Sequence, residues 1–224
     1  MPRKVVSPAG AVLFALAVLL SPSLSAQETK PDQTPEVRPE TEAEKQERAG
    51  RRKCAALICG TLHNKTPSTG EVSCNVQKTW RKEALTKILS RVKVSWPWGD
   101  TRCASQIKLD RAILIKAVQD PAFEAQFETY DIRCQIDAAN EKKPDEKYDV
   151  TAQIKPKVTF KEGKAVKARL NWGKVEAPTL AKSVLWPITA ADNTLGLLQG
   201  LVVEDINEFM TTKCMEVKDV WQSK

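Results

Sequence analysis

A single histidine, His63, leaves the chain little material for acid–base catalysis. The sequence also lacks a nucleophile elbow, a P-loop, a dinucleotide glycine fingerprint and a ligand cluster at zinc spacing. Cys54-x4-Cys59-x3-His63 is too irregular for a zinc site, and His63 in Leu62-His63-Asn64-Lys65 reads as a solvated loop residue. Glu204 and Glu208, one helical turn apart, and Asp100 beside two tryptophans read as solvated carboxylates. The expectation is a non-enzymatic protein with no cofactor and no metal. The longest apolar run, Ala9 to Leu20, has 12 residues, short of the roughly 20 that a membrane-spanning helix needs.

That run follows Pro2-Arg3-Lys4 and precedes small residues at Ser25 and Ala26, the layout of a secretory signal peptide over 1–26. No transmembrane segment is expected after cleavage. Residues 27–50 carry seven acidic and four basic side chains, with Val37 the one large aliphatic, and read as a disordered linker. From Arg51 onward, 29 basic residues face 21 acidic ones, a net charge of +8 that favours an anionic partner. Asn64-Lys65-Thr66 matches a glycosylation sequon.

Residues 51–224 are long enough for one domain with a substantial core. All six cysteines, Cys54, Cys59, Cys74, Cys103, Cys134 and Cys214, lie there, and an even count in an exported chain reads as disulfides. Cys103 with Cys134 is the first expected pair, because the strands that carry them fold back on each other about residues 118–121. Cys214 is expected to tie back to the Cys54, Cys59 and Cys74 lobe.

The clearest periodicity runs from Tyr148 to Val175. Tyr148, Val150, Ala152, Ile154, Pro156, Val158 and Phe160 alternate with polar residues, and Val166, Ala168, Leu170 and Trp172 do so after Glu162-Gly163-Lys164. This predicts a β-hairpin with one apolar and one basic face. Matching the apolar sides through that loop sets Phe160 against Val166, Val158 against Ala168, Ile154 against Trp172 and Lys157 against Arg169. Pro156, lacking an N–H, requires a gap in the neighbouring ladder.

Thr79 is expected to cap a helix carrying Trp80, Leu85, Ile88 and Val92, and Asp192 or Asn193 a final helix from Leu195 to Met210. Residues 106–117 and 123–136 read as two strands, with a β-bulge near Thr129 where the apolar parity shifts. Glu176 to Ile188, with Pro178 and Pro187, reads as irregular. The expected fold is α+β: a curved, four-stranded antiparallel meander packed with an N-terminal and a C-terminal amphipathic helix and stapled by disulfides.

Lys155, Lys157, Lys167 and Arg169 form a candidate anion-binding face, with Trp96 and Trp98 at the rim of a groove; the same tryptophans also suit a core plug. The expected function is binding of an amphipathic or anionic envelope component, a lipid or glycan, in the bacterial periplasm or after secretion. A protein-interaction or inhibitor-like module docking an acidic protein is the competing reading. Export and the absence of Phe or Tyr among these lysines disfavour nucleic acid.

Overall fold

The computed structural model describes residues 38–63, 68–139, 142–143 and 145–222. The signal peptide, residues 27–37 of the linker and the sequon lie outside them. The first half of the described chain forms α1 (Glu42–Leu62), β1 (Glu71–Trp80), α2 (Lys82–Ser90), β2 (Thr101–Asp110), α3 (Arg111–Gln119), β3 (Ala122–Gln126) and β4 (Tyr130–Asp137). The second half forms β5 (Lys147–Ile154), β6 (Lys157–Lys161), β7 (Lys164–Arg169), β8 (Trp172–Glu176), α4 (Thr179–Leu195) and α5 (Gln199–Glu208). A π-type turn (Phe209–Lys213) then leads into α6 (Cys214–Glu216) and α7 (Lys218–Gln222). Residues 40–224 make one compact unit containing all six cysteines. Among the described residues no helix is long and apolar enough to cross a membrane.

The class is α+β with antiparallel pairing, but among the described residues eight strands in two sheets replace the expected four-stranded meander. One sheet has the order β1-β2-β4-β5-β8 and the other β3-β6-β7. The long hairpin spans both. Its stem, β5 with β8, belongs to the large sheet, and Ile154 lies opposite Trp172. Its tip, β6 with β7, belongs to the small sheet, where Lys157 lies opposite Arg169 and Val158 opposite Ala168. The bend falls where Pro156 interrupts one strand and Asn171, at φ +49°, the other. At the tip the register differs from the expected one: Glu162 and Gly163 form a two-residue turn, both at positive φ, and a bulge sets Phe160 against Ala165. Val166 is thereby turned outward, 47% exposed.

Four further segments differ from the sequence reading. Residues 42–50, assigned to the linker, form the first turns of α1, held by a capping box in which Thr41 and Glu44 bond each other's backbone N–H. Thr79 ends no helix. It lies in β1, because its N–H and hydroxyl both donate to the buried Glu47 carboxylate of α1, at 2.7 and 3.1 Å. The strand expected over 106–117 stops at Asp110, whose carboxylate accepts from Ala112 N–H and starts α3. α4 runs through Pro187, whose ring points to solvent, in the stretch read as irregular.

The parity shift near Thr129 is not a bulge. β3 belongs to the small sheet and β4 to the large one, so the chain changes sheets between them. Three disulfides join Cys54 to Cys74, Cys59 to Cys214 and Cys103 to Cys134, the last between directly opposed residues of β2 and β4. Such a set suits an oxidising compartment.

Candidate functional site

One face of the large sheet is not filled by side chains. Between it, the small sheet, α1, α3 and α5 lies a cavity of about 600 Å³, well inside the ~300–1,000 Å³ range of small-molecule sites. Ile107 and Leu109 of β2, Ile132 of β4, Ile154 of β5 and Leu170 form its sheet wall. Ile58, Val202, Ile206, Phe209 and Met210 from the helices, and Val158 and Phe160 from the small sheet, close the other sides. The consequence shows in burial. Ile107, Ile132 and Ile154 point inward from strands with a neighbour on either side, yet remain only half-buried.

Polar groups are few and grouped. Gln77 and Lys78 of β1 are the exposed members of the lining and define its rim. Arg51 of α1 joins them, donating from Nη1 to the Gln77 carbonyl at 2.7 Å. The Lys78 ammonium lies 4.8 Å from the centre of the Trp80 ring, a cation–π contact on the same strand face. Desolvation lowers the Lys78 pKa, repulsion from Arg51 and Lys213 adds to this, and attraction to Asp205 of α5 opposes it. Burial in turn raises the Asp205 pKa. The rim thus groups Arg51 and Lys78 at partly dehydrated space, with Asp205 close enough to act on Lys78.

Farther along the lining, Arg169 reaches past the end of α4, where its Nη1 lies 3.4 Å from the Asp192 carbonyl. Tyr130 closes the lining near β2: its hydroxyl donates to the Lys108 carbonyl at 2.6 Å, and burial raises its pKa to about 12, with Glu128 and Glu71 adding to the effect.

Of the six residues expected to bind ligand, Arg169 alone is part of this lining. Lys157 does face Arg169 across the ladder, but its ammonium is 2.7 Å from the Glu124 carboxylate of β3. Lys155, in the break between β5 and β6, and Lys167, on β7, are exposed. Trp96 and Trp98 belong to a separate cluster. Their rings meet edge to face at 4.8 Å, and Trp98 packs with Ile136, Val150 and Ala181, 6% exposed. That is the plug arrangement, anchored by Trp96 Nε1 donating to the Gly99 carbonyl.

The lining residues missed in the sequence, Lys78 and Trp80, carry a legible signal. Val72, Cys74, Val76, Lys78 and Trp80 share one parity, so a lysine stands on an otherwise apolar strand face. Compared with known proteins, the chain matches no family model, no curated protein and no solved structure.

Proposed function

We propose that this chain is an exported, non-enzymatic binding protein for a single-chain amphipathic lipid with an anionic headgroup, working in the bacterial periplasm. The observation that carries the reading is the cavity of about 600 Å³, with apolar walls and cations at its rim. A lipid tail removes from water the inward side chains that the fold leaves half-buried, at roughly 25 cal/mol per Å² of apolar area. A glycan is a poorer fit, since its hydroxyls would meet walls that offer few hydrogen-bonding partners. The basic sheet face, which supports docking of an acidic protein, is partly neutralised by Glu124.

The test is displacement of a fluorescent fatty-acid probe from the oxidised protein, paired with native mass spectrometry after mild purification. Saturable 1:1 binding, competed by palmitate and not by hexoses, is the expected result. Absence of both co-purified lipid and palmitate competition rejects the reading.

A further inference from the structure

α2 follows the cavity-lining Trp80 and contributes no residue of its own to the lining. It is strongly amphipathic: Leu85 and Leu89 are half-buried and its other residues are exposed. Ala84, Leu85, Ile88 and Leu89, with Val92 just beyond, fall on one side at three- and four-residue spacing, and Ile88 is 38% exposed. Around the rest of the cylinder and its exit stand Lys82, Lys87, Arg91 and Lys93 against a single acid, Glu83. Such a helix, with modest overall hydrophobicity, a small apolar stripe and flanking cations, has the properties of one that lies in a lipid interface.

Its position supplies the second observation. α2 follows Trp80 at the cavity rim, and its first N–H, on Lys82, donates to the Asp100 carboxylate at 2.9 Å. At its far end Arg91 forms an ion pair with Glu204 of α5, the helix whose Val202 and Ile206 line the cavity. The helix therefore runs from the end of β1 to α5, held at its far end by an exposed ion pair that an anionic surface can replace.

We propose that α2 is a membrane-docking element that seats its Leu85, Ile88 and Leu89 stripe in an anionic bilayer surface, with Lys82, Lys87 and Lys93 against the headgroups. This assignment takes its purpose from the lipid-binding reading: docking sets the cavity mouth against the source of its cargo. The docking itself is measured separately from cargo binding. The outer face of α4 also exposes apolar groups, Leu180 at 67% and Trp186 at 60%, but Lys182 is the only charged residue in α4 before Asp192, so it lacks the cationic flank.

The test is flotation of the oxidised chain from Gln27 onward, which contains the whole 40–224 unit, with phosphatidylcholine vesicles made with and without phosphatidylglycerol. The wild type is expected to float only with the anionic vesicles, and less as salt rises. Ile88→Glu should weaken this at least about tenfold and Lys87→Glu about fivefold or more. Trp186→Ser should bind as wild type, and palmitate displacement should be unchanged in all three variants, which also shows that they are folded. Equal binding to both vesicle types, wild-type flotation of Ile88→Glu, or loss with Trp186→Ser overturns the assignment. So does a wild type that binds palmitate but floats with neither vesicle. Failure of palmitate binding alone overturns the cargo reading instead.

Discussion

Asn207 on α5 holds Ala165 on β7 by both backbone groups: its Oδ1 accepts the Ala165 N–H and its Nδ2 donates to the Ala165 carbonyl, each at 2.9 Å. The carboxamide thus stands where a neighbouring strand would be. Asn193 of α4 does the same for Trp172 of β8, at 2.7 and 2.8 Å. On β1 the task is divided, with Glu47 accepting the Thr79 N–H and Arg51 donating to the Gln77 carbonyl. Replacing Asn207 with Leu keeps the volume and orphans a partly buried donor and acceptor, which should cost about 2 kcal/mol. In urea the midpoint should fall with the slope unchanged. Asn193→Leu, at an exposed site, should cost less.

Filling the cavity should separate binding from stability. Ile107→Trp places a larger side chain into space that is empty, so thermal stability should stay level or rise while palmitate affinity falls at least tenfold. In a filled core the same change would cost about 1–3 kcal/mol through strain. Differential scanning calorimetry and probe displacement on one preparation read both effects.

The disulfides should rank by the chain they close. Cys59–Cys214 spans 155 residues and Cys54–Cys74 spans 20. Chain-entropy loss in the unfolded state then predicts about 5 kcal/mol for the first and about 3 for the second. Paired alanine variants, unfolded in urea, should keep that order.

Acid should loosen the start of α1. The Arg81 guanidinium, hydrogen-bonded to Glu44, and the Thr41 N–H together lower the Glu44 pKa from 4.5 to about 2. Between those values the unfolded chain binds a proton that the folded chain does not, so this stabilisation is complete above about pH 5 and drains away toward pH 2. Glu44→Gln should flatten the melting temperature against pH over that interval.

What the sequence exposed was the pairing of neighbours, and what it concealed was their allocation to layers. Alternation with period two sufficed for Lys157 against Arg169 and Ile154 against Trp172, since these depend on one strand and the next. It failed at Thr129, where a change of sheet and a bulge leave the same shift of parity. It failed again at Arg111-Ala112-Ile113-Leu114-Ile115, whose branched side chains suit a strand but whose Asp110 cap starts a helix. The isoleucines of the cavity wall left no mark, because an inward isoleucine reads the same whether it meets a side chain or empty space. A lysine on the apolar parity of β1 was the one local sign that this face is not wholly core.

The side-chain caps on β1, β7 and β8 also limit how this protein can be recognised. A peptide that binds by extending a sheet needs a strand edge with unpaired N–H and carbonyl groups, and at Thr79, Gln77, Ala165 and Trp172 those groups are already taken. At these positions a partner gains nothing from β-augmentation.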